Sequence, residues 1–202
     1  INLASLFAKN ENNIINENSI FKALNPYGVA QLFSFNVCQI FREKYNIFIS
    51  NAIFFPHESK KRDKLFVVGK IISTLYRISK GSSEKLKLGN IDVARDWGCA
   101  DEFMDALILI SQADTPDDYC ICTSHKMTVR QILEYTLDFF DLAFDEHVEI
   151  DNSLLRYKEH DCVVGDNSKI RKQLGWKPNY FGKKLIDKLI NEELELQRTA
   201  IN

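Results

Sequence analysis

Apolar residues recur along the chain with spacings that predict alternating helices and strands. The clearest repeat comes close to every 3.6 positions, at Val29, Phe33, Val37 and Ile40. Pro26 fits the first turn of a helix there, because its nitrogen carries no hydrogen to leave unpaired. The pattern therefore predicts a helix that opens at residues 25–26 and runs to about Tyr45.

The remaining pattern predicts further elements in alternation. Helices are expected at about 66–80, 100–112, 129–142 and 182–197, and a short one capped by Asp166 or Asn167 that ends at Leu174. Strands are expected within 1–7 and at 47–55, 86–88 and 119–123, and polar loops at 8–24 and 56–65. The run at 47–55 is rich in β-branched and aromatic residues, as in a parallel strand covered on both faces. This order indicates an α/β fold without internal repeats.

Size and charge narrow the functional classes. The 202 residues suffice for one domain or part of a larger one, and the net charge of −2 favours neither nucleic acid nor an anionic membrane as partner. No apolar run approaches the ~20 residues of a membrane span, and no signal peptide is evident. The five cysteines lack zinc-site spacing, so no metal is predicted and reduced thiols in a cytoplasmic protein are expected.

Tyr27 and Gln31 lie four residues apart in the first predicted helix, so both side chains leave the same face. The catalytic tyrosine and lysine of short-chain dehydrogenases have this spacing, with glutamine here in place of lysine. Such a pair is common by chance, and the motifs further along the chain decide its meaning.

Four stretches occur in an order typical of one enzyme group. They are Asn25-Pro26-Tyr27-x-x-x-Gln31, Phe55-Pro56-His57-Glu58-Ser59-x-x-Arg62, Leu88-Gly89-Asn90-x-Asp92-x-x-Arg95-Asp96-Trp97-Gly98, and Gly165-Asp166-x-Ser168-Lys169 followed by Leu174-Gly175-Trp176-Lys177-Pro178. Together they resemble extended short-chain dehydrogenase/reductases of the epimerase/dehydratase superfamily. The His57-Glu58-Ser59 loop, followed by Lys70-Ile71, resembles GDP-mannose 4,6-dehydratases in particular. The resemblance covers nearly the whole chain.

That resemblance implies a fold. It is the C-terminal half of a Rossmann-like doubly wound parallel sheet plus a smaller α/β substrate-binding domain. Residues 1–55 would be the remaining part of the nucleotide-binding sheet, and 56–202 mainly the sugar-nucleotide-binding part, with segments that return to the sheet. The sequence holds no G-x-G-x-x-G turn, so the first half of such a fold is expected to be missing from this chain.

The resemblance also implies a reaction and a site. In this family NADP takes a hydride from C4 of GDP-mannose, water leaves across C5 and C6, and the hydride returns at C6 to give GDP-4-keto-6-deoxymannose. Tyr27 matches the catalytic tyrosine, and Gln31, His57 and Arg62 match NADP-binding positions. The matches in or beside the GDP-sugar site are Lys70, Arg95, Arg130 and Arg156, with Glu159 a candidate for the ribose.

Arginine suits such a ligand, because its planar guanidinium meets a phosphate with two parallel hydrogen bonds. Arg95, Arg130 and Arg156 lie on three separate segments, as a clamp on a pyrophosphate needs. The alternative for each arginine is a surface ion pair, and for His57 a hydrogen-bonded structural role. Trp97 and Trp176 are expected to be packing residues.

The departures from the family fall on the catalytic residues. A tyrosine that acts as base must lose a proton of pKa about 10, and the family's lysine ammonium lowers that pKa. Gln31 is neutral and supplies no such charge. Without gaps, the family's catalytic Thr and Glu align with Leu3 and Ser5, and serine offers no general base near neutral pH. Pro56 and Gly69 replace a family Asn and Arg.

These replacements predict an inactive or strongly impaired dehydratase homologue. Two alternatives remain open. One is a non-catalytic module that still binds GDP-mannose or a related GDP-sugar. The other is a structural module that pairs through the Tyr27 helix with a second copy or an intact homologue, with contacts from Phe33, Phe41 and Tyr45.

Overall fold

The computed structural model describes residues 2–4, 14–23, 25–155 and 162–201, with backbone alone at 2–4 and 200–201. Its helices are α1 (Pro26–Tyr45), α2 (Val67–Ser79), α3 (Ala100–Ser111), α4 (Val129–Phe140), α5 (Phe144–His147), α6 (Ser168–Leu174) and α7 (Gly182–Ile201). Its strands are β1 (Asn2–Ala4), β2 (Ile14–Ile15), β3 (Asn51–Phe54), β4 (His57–Glu58), β5 (Leu86–Leu88), β6 (Ala94–Asp96), β7 (Gly98–Cys99), β8 (Asp118–Ile121), β9 (Lys126–Thr128), β10 (Val148–Ile150) and β11 (Cys162–Gly165). None of the helices in these ranges is long and apolar enough to cross a lipid bilayer.

Side-chain caps fix where the two best-defined helices begin. Asn25 accepts a hydrogen bond of 2.8 Å from the backbone N–H of Gly28 at the start of α1. At the start of α4, Thr128 accepts from the backbone N–H of Gln131, and the Gln131 side chain accepts from the backbone N–H of Thr128. Both helix starts confirm the sequence prediction.

The central sheet is parallel and covered on both faces. Its strand order is β1–β3–β8, and Asn51 lies opposite Asp118 in the register. Phe54, the last residue of β3, and Phe55, which follows it, point to opposite faces of the sheet. Phe54 packs in a cluster with α3 and α6, and Phe55 packs in another with Phe35 of α1. This arrangement confirms the α/β class with helices on both sides of a parallel sheet.

A second core lies beyond this sheet. It joins apolar residues of α2, α4 and α7 to the parallel pair β5–β10. The mixed sheet β2–β11–β6–β9 and the small parallel pair β4–β7 connect the two cores. The buried apolar residues of the motif that begins at Leu88, including Trp97, belong to this second core.

The predicted strand at 47–55 is too long. The strand β3 begins at Asn51, where its neighbour β8 also begins, and Ile47 and Phe48 are exposed. Because a strand exists only where a partner offers hydrogen bonds, the apolar residues before Asn51 remain outside the ladder. The predicted loop at 8–24 contains the short strand β2, and the predicted loop at 56–65 contains the short strand β4. Residues 5–13 lie outside the described residues.

The apolar stripe that predicts α1 does not face the core. Val29, Phe33 and Ile40 are 58%, 70% and 55% exposed. The opposite side of the helix packs on the sheet through Phe35, and Arg42 makes a bidentate ion pair with Asp118 of β8 at 2.8 and 3.1 Å. The helix was therefore predicted correctly, but its buried face is the more polar one.

Candidate functional site

A cleft of about 460 Å³ opens beyond the carboxyl end of β3, where open α/β sheets place their ligands. It lies between the β4 segment, the start of α2 and the strands β5 and β6. The lining residues that matter most for its chemistry are Glu58, Arg62, Phe66, Lys70, Lys87, Arg95 and Trp97. The structure thus brings together three predicted ligand-binding residues, namely Arg62, Lys70 and Arg95.

Arg62 is held in a defined orientation at the edge of this cleft. Its Nη1 donates to the backbone oxygen of His57 at 2.5 Å, and its guanidinium carbon lies 3.9 Å from the ring centroid of Phe66. Its Nε lies 3.5 Å from a carboxylate oxygen of Glu58, too far for a good hydrogen bond. The guanidinium is therefore positioned by stacking and by a backbone contact, and only loosely by its carboxylate.

The other cations come from separate segments. Lys70 of α2 donates from Nζ to the backbone oxygen of Lys87 at 2.6 Å, and Arg95 of β6 donates from Nη1 to the backbone oxygen of Ala94 at 2.8 Å. Among the described lining residues, four cations face the cleft and Glu58 is the single acidic side chain. Such a surface attracts an anionic ligand.

Glu58 also lines the cleft, although the sequence predicted no role for it. Its side chain is only 4% exposed, and burial raises the pKa of its carboxyl to about 7, against the opposing effect of Arg62. Its place in the His57-Glu58-Ser59 motif was the available signal. The burial that alters its acidity is a tertiary property that the motif does not encode.

The residue after Arg95 is a buried carboxylate that accepts hydrogen bonds from two other segments. Asp96 accepts hydrogen bonds from Thr123 N and Oγ1, Ser124 N and Gly165 N at 2.8, 2.5, 2.9 and 3.1 Å. Burial raises the pKa of Asp96, and these four bonds oppose that rise. Asp96 thereby ties β6, the strand that also carries Arg95, to the ends of β8 and β11.

Two motif glycines are explained by close packing. A Cβ on Gly98 would overlap the ring of Phe103, and one on Gly165 would overlap the side chain of Cys122. Trp176 is buried and donates from Nε1 to the backbone oxygen of Glu102 at 3.0 Å, so its motif is structural. Trp97 is buried too, which fits its predicted packing role, although it also lines the cleft.

Several predicted site residues lie elsewhere. His57 does not line the cleft: its Nδ1 is 2.9 Å from the backbone oxygen of Phe55, its ring contacts aromatic neighbours, and burial lowers its pKa. Arg130 makes an exposed bidentate ion pair with Asp92 at 2.7 and 3.2 Å, which is the alternative to ligand binding given above for each arginine. Tyr27 is 62% exposed on α1.

The remaining candidates are only partly described. Gln31 is half-buried one turn after Tyr27, and its Oε1 finds no hydrogen-bond donor among the described residues. Leu3 belongs to β1, but nothing is known of its side chain. The predicted positions Ser5, Arg156 and Glu159 lie outside the described residues.

The fold and the cationic cleft define the class. RMD from Pseudomonas aeruginosa complexed with NADPH has a TM-score of 0.85 at 20% identity, over 96% of this chain and 66% of that one. The dTDP-glucose 4,6-dehydratase from Bacillus anthracis in complex with NAD has a TM-score of 0.85 at 10% identity, over 97% and 61%. At such identities the likeness shows the fold alone, that of the extended short-chain dehydrogenase/reductases.

Sequence comparison identifies the family within this class. The model of the family GDP-mannose 4,6 dehydratase matches residues 4–189, so the chain belongs to that family. GDP-mannose 4,6 dehydratase 1 of Arabidopsis thaliana is 37% identical over 90% of this chain and 50% of its own length. GDP-mannose 4,6 dehydratase of Homo sapiens is 32% identical over 92% and 55%. The chain thus spans about half the length of the curated relatives it matches.

Proposed function

We propose that the chain binds GDP-mannose or a closely related GDP-sugar in the cleft and has lost, or retains only weakly, the dehydratase reaction of its family. The observation that carries the binding proposal is the convergence of Arg62, Lys70 and Arg95 on one cleft. A sugar nucleotide of this kind carries a diphosphate between two neutral polar groups. Several cations on separate segments are the means by which proteins hold such a charge.

The size and lining of the cleft agree with this ligand class. Its volume of about 460 Å³ lies in the usual range for small-molecule sites, and it is open to solvent, so part of a sugar nucleotide can extend beyond it. Trp97, Phe66 and Val93 supply apolar surface beside the cations. Lys87 was not predicted, and it adds a fourth positive charge at the rim.

The proposed loss of chemistry depends on Gln31 and on the residues aligned with the family's other catalytic positions. A lysine at position 31 would bring an ammonium next to Tyr27, and it would lower the free energy of the ionised phenol. Gln31 instead presents an amide oxygen that no described residue satisfies. Serine at position 5 and leucine at position 3 offer no group that titrates near neutral pH.

NADP is the cofactor that family membership implies, and the compared structures contain NADPH or NAD. When bound, it accepts and returns the hydride. Of the residues in this chain, Arg62 suits a cofactor phosphate, because its guanidinium is fixed by Phe66 and by the backbone of His57. The His57 ring already contacts the backbone at Nδ1, so its cofactor role stays a prediction.

Turnover and binding assays test this proposal together. Incubation of the chain with GDP-mannose and NADP is expected to give no 4-keto sugar, and robust turnover would refute the loss of activity. Titration calorimetry with GDP-mannose is expected to show salt-sensitive binding that Arg95→Ala weakens by at least about tenfold, since a charged hydrogen bond contributes about 1.5–3 kcal/mol. Arg171→Ala, an exposed arginine on α6, is the matched control.

A second candidate function is pairing through α1. The specific observation is the apolar stripe of Val29, Phe33 and Ile40, which lies exposed along one side of a 20-residue helix. Exposed apolar surface of this extent marks an interaction site in soluble proteins. The proposed partner is a second copy of the chain or an intact homologue.

A further inference from the structure

Glu58 lies in the cleft beside Arg62, so its carboxylate would be close to the negative charge of a ligand bound by Arg62. It is the one acidic side chain among the described residues that line the cleft, and its carboxylate lies 3.5 Å from Arg62 Nε. Arg62 Nε makes no hydrogen bond within the described part of the chain. The ion pair is therefore a contact of charges without a hydrogen bond, which a second anion can weaken at little cost.

The other charged groups around Glu58 leave Arg62 as its main partner. On the cleft side lie Lys70, Lys87 and Arg95, each engaged with backbone or with another group. Behind Glu58, a cavity of about 10 Å³ is lined by Lys60, Lys64 and Glu193 of α7, and Lys64 forms an ion pair with Glu193.

Among the described residues, Arg62 is the charged group that shifts the pKa of Glu58, and the neighbouring strand and helix contribute no such shift. Cys99 of β7 lies opposite Glu58, and burial raises the pKa of its thiol, so the sulfur is neutral. The carboxylate of Glu102 on α3 accepts hydrogen bonds from Asn179 and Tyr180 instead.

We propose that Glu58 competes with a diphosphate ligand for Arg62, so that the cleft binds the diphosphate more tightly when Glu58 is protonated or replaced by glutamine. This inference rests on the proposed function, because it names how the charge of the same cleft is regulated. The diphosphate can belong to a sugar nucleotide or to a dinucleotide cofactor, since Arg62 recognises the same chemistry in both.

The acidity of Glu58 makes the competition depend on pH in the neutral range. Burial raises the pKa of its carboxyl to about 7, so both charge states are populated near neutrality. An anion bound beside Glu58 disfavours its ionised form further. By linkage, binding near pH 7 then takes up a proton, and affinity falls as the pH rises.

Calorimetry on the full chain at about pH 6 and about pH 8.5 tests this inference. GDP-mannose is the main probe, because its diphosphate does not titrate in this range, and NADP is the second. Wild-type affinity is expected to fall by about tenfold between the two pH values. Glu58→Gln is expected to bind about equally at both, as tightly as wild type at the lower pH, and without the proton uptake seen when buffers of different ionisation enthalpy are compared.

Glu102→Gln is the matched control, because it removes a buried carboxylate that lines neither the cleft nor the cavity behind Glu58, and it should keep the wild-type pH dependence. A change confined to GDP-mannose assigns Arg62 to the sugar nucleotide, and one confined to NADP assigns it to the cofactor. Binding with the same pH dependence in wild type and Glu58→Gln overturns the inference and leaves the proposed function standing. If neither probe binds to any variant at either pH, the proposed function fails and this inference with it.

Discussion

Burial of Glu58 carries a cost that ordinary surface carboxylates avoid. An ionised group that loses its hydration needs a strong partner, and Arg62 Nε at 3.5 Å is only a partial one. Because Arg62 compensates only in part for the lost hydration, the pKa of the Glu58 carboxyl is raised. A residue of this kind is typical of a functional position, since an apolar or amide side chain of similar size would stabilise the fold more.

The stability of the protein should therefore depend on the ionisation of Glu58. Below pH 4.5 both the folded and unfolded forms hold this proton, and as the pH rises towards 7 the unfolded form loses it first. The free energy of unfolding of wild type is expected to fall by roughly 3 kcal/mol relative to Glu58→Gln between about pH 4 and pH 8, from a pKa change of roughly 2.5 units at about 1.4 kcal/mol each. Urea denaturation of both proteins measures this, and parallel pH profiles would contradict it.

The residues of the site were predictable to different degrees. Arg62, Lys70 and Arg95 were proposed as ligand-binding residues because their motifs occur in a recognisable order, and the structure places them around one cleft. The roles of Glu58 and Asp96 were not predicted, because a carboxylate looks the same in sequence whether it is solvated or buried. The ligand-binding role of Arg130 stays a prediction, and the structure shows its guanidinium in an exposed ion pair with Asp92.

At the scale of elements, α1 is anchored by polar contacts. Asp118 accepts hydrogen bonds from Arg42, Gln39 and Asn51, and this joins the helix to β3 and β8. Although burial opposes it, these bonds hold the pKa of Asp118 below its ordinary value. Helix α1 is thus held to the sheet by one carboxylate as well as by the packing of Phe35.

Removing the arginine partner should destabilise the protein strongly. Arg42→Met is expected to lower the free energy of unfolding by about 3 kcal/mol or more, because it leaves Asp118 buried and unpaired. Arg77→Met is the matched control: it breaks the exposed bidentate pair with Glu84 and is expected to cost less than about 1 kcal/mol. Chemical denaturation measures both, and equal costs would contradict the assigned role of Asp118.

The prediction of helices and strands succeeded where signals close in sequence determine the element. It failed where pairing between distant strands sets the limits of the element. The start of α1 and of α4 followed from capping residues that act within one turn. The limits of β3 did not, because they are set by Asp118 more than sixty positions away in sequence. The orientation of α1 on the sheet could not be predicted either, because an apolar stripe has the same period whether it faces the sheet or a partner.

At the scale of the whole molecule, two surfaces are left open. In the described part of the chain, β1 pairs with β3 on one side and with no strand on the other. On one face of the same sheet, α1 presents Val29, Phe33 and Ile40 to solvent. The chain spans about half the length of its curated relatives.

If α1 is an association surface, a charge on it should prevent association. Phe33→Glu is expected to shift the chain from a dimer to a monomer in sedimentation experiments, or to abolish its co-sedimentation with a full-length dehydratase, because a buried unpaired carboxylate is costly. Phe139→Glu, at an exposed position of α4, should change neither. A wild-type chain that sediments as a monomer, both alone and in the mixture, would exclude this role.

The network around Asp118 has a consequence for how the protein tolerates change. It sits where β3 and β8 begin, whereas the cationic cleft lies past the point where β3 ends. Substitutions at one rim of the sheet are therefore expected to alter resistance to heat without contacting the groups that we propose hold a phosphate at the other. Melting temperature and ligand affinity are then expected to change independently when residues at these two rims are substituted.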